Sequence, residues 1–282
     1  MKQYLEVLNR ILTEGKIKHN RTGVDTLSIS GTMLEFDMST GKFPLMTTKK
    51  MGLKNICAEL EMFLHGITSK KFLEDRGCHI WSAWANPKKV PYGNDEETKK
   101  KMAEEDDLGP IYGSQWVNFN GEGINQLQKA IDTLKTNPTD RRMIVSAWNP
   151  LKLDQMALPP CHYCYQFLSN DGYVDLLWNQ RSSDYPIGVP YDIASYAMLL
   201  TLVCKQVKMK PGKLIGFFAD SHIYVNQIEG VKEQLSREPF ELPSVTITNA
   251  DDPNWTIWDW KYTDFTLENY QCHPAIKMPV AV

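Results

Sequence analysis

The run Ile193-Ala-Ser-Tyr-Ala-Met-Leu-Leu-Thr-Leu-Val-Cys204 is apolar on nearly every side, and no other stretch narrows the fold so much. A segment with no polar face has nothing to offer water, so it predicts a helix through the middle of a core, walled in by other elements. With 282 residues, 42% hydrophobic and 23% charged, the chain is long enough to bury such a helix in one α/β domain spanning 1–282.

The surrounding sequence supplies the walls. Tyr4, Leu5, Leu8, Ile11 and Leu12 have the spacing of an amphipathic helix over residues 2–14, stopped by Gly15. Residues 26–36 alternate and are rich in strand formers, which predicts a long half-buried strand. Helical spacing returns over 54–65 and 125–135. Strands are predicted over 143–148, 161–167, 174–178, 213–218 and 244–247, giving a mixed sheet with several helices. Residues 86–107 break the pattern. Their charges, culminating in Lys99-Lys-Lys-Met-Ala-Glu-Glu-Asp-Asp107, show little apolar periodicity and read as an exposed insertion with a solvated surface and no binding role.

Several function classes lose support. A net charge of −3 offers no basic excess for a nucleic-acid polymer, so a nucleic-acid connection would run through small nucleotides. No segment approaches 18 uninterrupted apolar residues, and the N-terminus has no signal-like apolar run, which predicts a cytoplasmic protein without a membrane partner. Glycine-rich cradles for dinucleotides or nucleoside triphosphates are missing from the sequence. The six cysteines read as reduced, mostly packing residues.

Cys161 stands apart from the others. Its neighbours His162 and Cys164 raise metal and redox readings, but no second ligand pair exists, and on a strand positions 161 and 164 point to opposite faces. What remains is a small buried hydrophobe or a lone nucleophile. Pro159-Pro160 favour the second by stiffening the chain where the thiol emerges, with Arg181 as the cation that would favour thiolate. Arg21, Arg141, Arg142 and Arg181 lie on turns and strand ends, where planar guanidinium groups suit an anion, although each alone is equally a surface residue. Asp192 immediately precedes the apolar run and reads first as a helix N-cap. Glu59 and Glu61, two apart on one predicted helix, point about 200° apart, so at most one faces a shared pocket squarely.

These segments together resemble the thymidylate synthase family over nearly the whole chain. The resemblance is carried by Asn20-Arg-Thr-Gly23, Phe43-Pro-Leu-Met-Thr-Thr48, Trp81 and Trp84, Gly109-Pro-Ile-Tyr-Gly113, Asp140-Arg-Arg142 and Leu158-Pro-Pro-Cys-His162. It continues through Gln180-Arg-Ser-Ser-Asp184, Gly188-Val-Pro190, Ile193-Ala-Ser-Tyr196, Asp220-Ser-His-Ile-Tyr224 and the closing Pro279-Val-Ala-Val282. It implies an α/β homodimer built on a large mixed sheet, one sheet face forming the interface. Each subunit's cleft would take a pyrimidine nucleotide and 5,10-methylenetetrahydrofolate as co-substrate, with no metal.

The residue roles follow from the same resemblance. Cys161 would add to C6 of the ring and make C5 nucleophilic, with Glu59, Tyr112, Arg181 and Asp192 completing the catalytic set. Arg21, Arg181 and Ser182 would hold the phosphate, with Arg141 and Arg142 reaching in from the partner subunit. Gln180, Asp184, Asp192, His222 and Tyr224 would complete the nucleotide site. Trp81, Trp84, Asp184, Ile187, Gly188, Tyr191 and Val282 would contact the folate.

Two positions depart from the synthase pattern. Asp192 stands where synthases carry Asn, whose amide matches O4 and N3–H of uracil. A carboxyl group sharing one proton instead matches the N4 amino group and N3 of cytosine, which points to dCMP. Glu61 replaces an apolar residue, and the Glu-Leu-Glu triplet is similar to bacteriophage dCMP hydroxymethylases. There Glu61 would position water on the folate side. The expectation is therefore a dCMP 5-hydroxymethylase acting in a host cytoplasm, ahead of methylation of dCMP or dUMP, dUMP hydroxymethylation, or an inactive binding homologue. Trp81 and the C-terminal Val282, which shield the intermediate in synthases, argue for a methyl product.

Overall fold

The computed structural model describes residues 1–280. In chain order the elements are helix α1 (Lys2–Glu14), strands β1 (Lys16–Lys18) and β2 (Thr26–Asp37), and helices α2 (Leu53–Leu64), α3 (Lys71–Glu74), α4 (Glu96–Glu104), α5 (Tyr112–Val117) and α6 (Gln126–Thr136). Strands β3 (Ile144–Ser146), β4 (His162–Asn170), β5 (Tyr173–Gln180) and β6 (Ser183–Asp184) follow, then helix α7 (Gly188–Val207), strand β7 (Lys210–Tyr224), helix α8 (Ile228–Leu235) and strands β8 (Ser244–Ile247) and β9 (Phe265–Glu268).

The main sheet runs β1-β2-β7-β5-β4-β3, with β6 alongside β7. It is mixed: β2 pairs antiparallel with β7, whereas β5 and β7 are parallel. A parallel pair cannot be closed by a hairpin and needs a crossover, and α7 is that crossover. This is why the apolar run is helical and apolar all round. It lies against the sheet face carrying Trp178, whose ring stacks on Tyr196 of α7 at 5.2 Å. Gly216 sits directly across from Trp178, and a Cβ there would come within 2.5 Å of the indole. The opposite sheet face leaves Met33 and its cross-strand partner Phe217 exposed, at 53% and 39%, with Ile144 at 50%.

Two local expectations change. Helix α7 begins at Gly188, five residues before Ile193, because Pro190 falls in its first turn, where the missing N–H has no intrahelical partner to lose. The charged stretch 86–107 contains a true helix, α4, whose N-cap Asp95 accepts from Thr98 N–H at 2.9 Å and whose Met102 is buried. The base of this insertion is closed by Asn86 N–H donating to Asp107 O at 2.8 Å.

Candidate active site

A cleft of about 710 Å³ opens where β6, β7, the Arg21 turn and the chain entering β4 meet. Arg21, Trp84, Cys161, Arg181, Ser182, Asp184, His222 and Tyr224 all line it, having converged from five stretches of sequence.

Cys161 is held by its backbone on both sides. Its N–H donates to the Tyr112 hydroxyl at 2.9 Å, and its carbonyl accepts from Arg181 N–H at 2.8 Å. The two prolines do more than stiffen the chain. Their carbonyls take the Arg181 guanidinium, Nε to Pro160 O at 2.9 Å and Nη2 to Pro159 O at 2.7 Å, and so aim Nη2 at Sγ from 4.0 Å. Burial nevertheless pushes the Cys161 thiol up, with Arg181 opposing. Arg181 alone therefore does not deliver the thiolate that the sequence reading assigned to it; the ligand-free site holds a neutral thiol. A register shift between His162 and Cys164 interrupts the β4–β5 ladder, and Cys164 accepts instead from Asn179 Nδ2 at 3.7 Å.

Behind the thiol lies a polar layer. Asp192 Oδ2 accepts from Gln180 Nε2 at 2.8 Å, and Oδ1 lies 3.7 Å from His162 Nε2. This second contact is no ion pair, because burial holds the His162 imidazole down at about 3 and therefore neutral. His162 stacks on Tyr112 at 4.3 Å, and its Nδ1 meets the Tyr196 hydroxyl at 2.8 Å. Burial raises the Asp192 carboxyl well above its ordinary range, partly opposed by Gln180, which favours its protonated form. About 17% of its side chain remains accessible. The N-cap reading of Asp192 is overturned: with α7 starting at Gly188, Asp192 lies within the helix and its carboxyl bonds across to β5. The carboxylate at the entrance to α7 is Asp184, which accepts from Ile187 N–H and from Gln227 Nε2, both at 3.2 Å.

The two glutamates of α2 part company. Glu59 Oε1 accepts from Trp81 Nε1 at 2.6 Å, and burial lifts its carboxyl to about 7 against that hydrogen bond. Trp81 in turn lies edge-on to Tyr112. Glu61 is 2% exposed and turned elsewhere, accepting from Tyr262 N–H at 2.9 Å with Arg76 Nη2 4.0 Å away. A role for Glu61 in positioning water is therefore corrected: both of its oxygens face the Tyr262 and Arg76 side of α2, since two residues along a helix rotate a side chain about 200°.

The remaining expected residues divide by location. Tyr191 is half-buried on α7, near enough to Glu59 for that carboxylate to help raise its phenol, after burial, and Gly188 opens the same helix beside Asp184. Arg141 and Arg142 do not line this cleft; both are exposed, and Arg142 forks onto Asp140 through Nε at 3.0 Å and Nη2 at 2.6 Å. Val282 lies outside the described residues.

Several lining residues went unassigned in the sequence. Lys18 and Asp220 pair across the cleft edge, and Asp220 Oδ1 also accepts from Ser28 Oγ at 2.7 Å and faces His222 Nδ1 at 3.3 Å. Its place in Asp220-Ser-His222 was the available signal. Trp148 and Tyr92 line the cleft as well, and Tyr92 comes from the insertion that read as mere surface.

Known proteins resemble this chain along its whole length. The family model described as thymidylate synthase matches residues 2–282. Thymidylate synthases from three strains of Coxiella burnetii, Dugway 5J108-111, RSA 331 / Henzerling II and RSA 493 / Nine Mile phase I, are each 45% identical over 285 residues, covering 100% of this chain and 100% of theirs.

Proposed function

The chain belongs to the thymidylate synthase family, and from that premise we propose that it is a folate-dependent C5 one-carbon transferase whose pyrimidine is cytosine, with dCMP as substrate. The observation that carries the choice of base is Asp192: a carboxyl group bonded to Gln180, not used as a helix cap, and pushed toward its protonated form by burial. Its O–H donates to ring N3 while its other oxygen accepts from the N4 amino group. Uracil reverses that pattern: it is met only if the proton moves to the carboxyl oxygen facing O4, and otherwise it sets its O4 lone pairs against an unprotonated oxygen. A buried mismatch of this kind costs about 1–3 kcal/mol, or about 5- to 150-fold in preference.

The same proton serves catalysis. As Cys161 Sγ bonds to C6 and releases its thiol proton, electron density shifts through C5 toward N3, and Asp192 meets it there. Arg181, 4.0 Å from Sγ, favours the thiolate once nucleotide fills the cleft. Glu59, half ionised near neutrality, exchanges protons at the ring, and Tyr112 fixes the Cys161 backbone. Arg21, Arg181 and Ser182 take the phosphate, and His222 and Tyr224 take the sugar.

The cleft also fits a flat heteroaromatic beside the nucleotide, since its volume is that of a ligand site and Trp84 and Asp184 line it, with Trp81 and Tyr191 close to Glu59. When bound, methylenetetrahydrofolate supplies the one-carbon unit. Glu61, the side chain expected to position water, is turned away, and the relatives are named for making thymidylate; a methyl product is therefore the better supported outcome. Hydroxymethylation of dCMP stands second, and Asp192 is what favours it, as the residue shared with the hydroxymethylase branch.

We further propose a homodimer through the sheet face bearing Met33, Phe217 and Ile144, which would bring Arg141 and Arg142 to the partner's phosphate site. The deciding experiment incubates the protein with dCMP or dUMP and methylenetetrahydrofolate and identifies products by mass. Methylated dCMP with dihydrofolate is expected. A gain of hydroxymethyl establishes the second reading, and turnover of dUMP alone overturns the assignment of the base.

A further inference from the structure

The 86–107 insertion is anchored far more firmly than a surface loop requires. Lys70, fully buried, donates from Nζ to three carbonyls: Ser82 at 3.0 Å, Trp84 at 3.0 Å and Met102 of α4 at 2.7 Å. Lys89 bridges Glu105 and Asp107, both at 3.1 Å. These bonds fix Trp84 and the insertion relative to each other, and between them the insertion carries Tyr92 into the cleft. The Tyr92 ring lies near-parallel to Trp84, 25° between planes and 6.4 Å between centroids. The Arg21 guanidinium sits over both, 5.1 Å from the Tyr92 centroid and 5.9 Å from that of Trp84.

A guanidinium stacked on a ring uses its face, while all five N–H groups point outward in its plane. Arg142, in contrast, has its edge occupied by Asp140. Contact with the two rings therefore holds Arg21 at the cleft, and among the described residues no hydrogen bond or ion pair occupies its N–H groups, which leaves them open to an anion.

We propose that Tyr92 is a positioning residue for the anion of the substrate: the insertion exists in part to hold Arg21 over the cleft, edge free, before the phosphate arrives. This rests on the nucleotide reading above. Orienting the arginine beforehand lowers the ordering cost of binding, so the effect falls on affinity for a phosphate-bearing ligand and not on chemistry.

The test measures dissociation constants of the full chain for dCMP and dUMP and for the matching nucleosides, in wild type, Tyr92→Ala and Tyr92→Phe. Tyr92→Ala is expected to weaken the nucleotide by about 2- to 5-fold, the range of one exposed cation–π contact, and to raise its KM equally with kcat unchanged. Tyr92→Phe, which keeps the ring and loses the hydroxyl bond to Asn94, should bind as wild type does, and nucleoside binding should not change in either variant. The proposal is overturned if Tyr92→Ala binds nucleotide normally, if it weakens nucleoside as much as nucleotide, or if Tyr92→Phe loses as much as Tyr92→Ala. A wild type that binds neither nucleotide removes the functional reading and this proposal together; normal wild-type binding with a silent Tyr92→Ala removes only this one.

Discussion

At the scale of single residues, the site is governed by which charges burial suppresses. Burial holds His162 and Cys161 neutral in the ligand-free protein and pushes Asp192 toward its neutral form, and Glu59 is poised near neutrality. Replacing Asp192 with Asn restores an amide that matches uracil, so Asp192→Asn should reverse the order of kcat/KM for dCMP and dUMP; unchanged preference in that variant would contradict the pairing. Glu59 offers a check that needs no substrate. Its carboxyl moves from an ordinary 4.5 to about 7 in the folded state, so the folded protein binds a proton the unfolded chain has released. Its stabilising contribution is complete below pH 4.5 and is lost as pH rises through 7. Glu59→Gln removes that titration. The variant should gain stability relative to wild type on going from pH 4 to pH 8, by on the order of 2–3 kcal/mol, read from denaturant midpoints at each pH. A pH-independent difference would show that Glu59 is not perturbed. The identities of Cys161, Arg181 and Glu59 were legible in the sequence. Their protonation was not, because it depends on how much protein surrounds each group.

At the scale of elements, α2 and α5 form the platform beneath the site. Gly113 lets them touch: a Cβ there would lie 2.1 Å from Phe63 O, a clash with backbone that no rotamer relieves. Tyr112 beside it takes a φ of 22°, sparsely populated for a residue with a side chain, and this places the hydroxyl under Cys161 N–H. Gly113→Ala should cost at least about 3 kcal/mol and remove the Trp81 and Glu59 geometry with it, measurable as a lowered melting temperature and lost turnover. Lys70→Met would leave three carbonyls without their shared donor, so a loss of about 2–4 kcal/mol and faster proteolysis within 86–107 are expected. The regular elements followed from periodicity, among them α1, β2 and β8. Helix α4 did not, since a single buried Met102 creates no apolar stripe, although Asp95 three residues before Thr98 was a readable cap. The start of α7 was placed five residues late, at Ile193, because the apolar run that signals the helix begins only there.

At the scale of the whole molecule, the mixed sheet has one face filled by α7 and the other left apolar and open. If that open face joins two copies, the phosphate sites are shared and inactive variants should complement. Mixing Cys161→Ala with Arg141→Ala chains, followed by subunit exchange, should restore up to about a quarter of wild-type activity, because each mixed dimer holds one intact site. No recovery, with exchange verified, would place Arg141 outside the partner's site. The family and the α/β class were legible because the motifs carrying chemistry are local and the apolar run that builds the core is continuous. Tertiary structure alone decided that Asp192 faces Gln180 instead of capping a helix, that Glu61 turns from the cleft, and that Tyr92 of a charged insertion stands over it. Each of these depends on which surface a side chain meets across space, and spacing along the chain carries no such information beyond one helical turn.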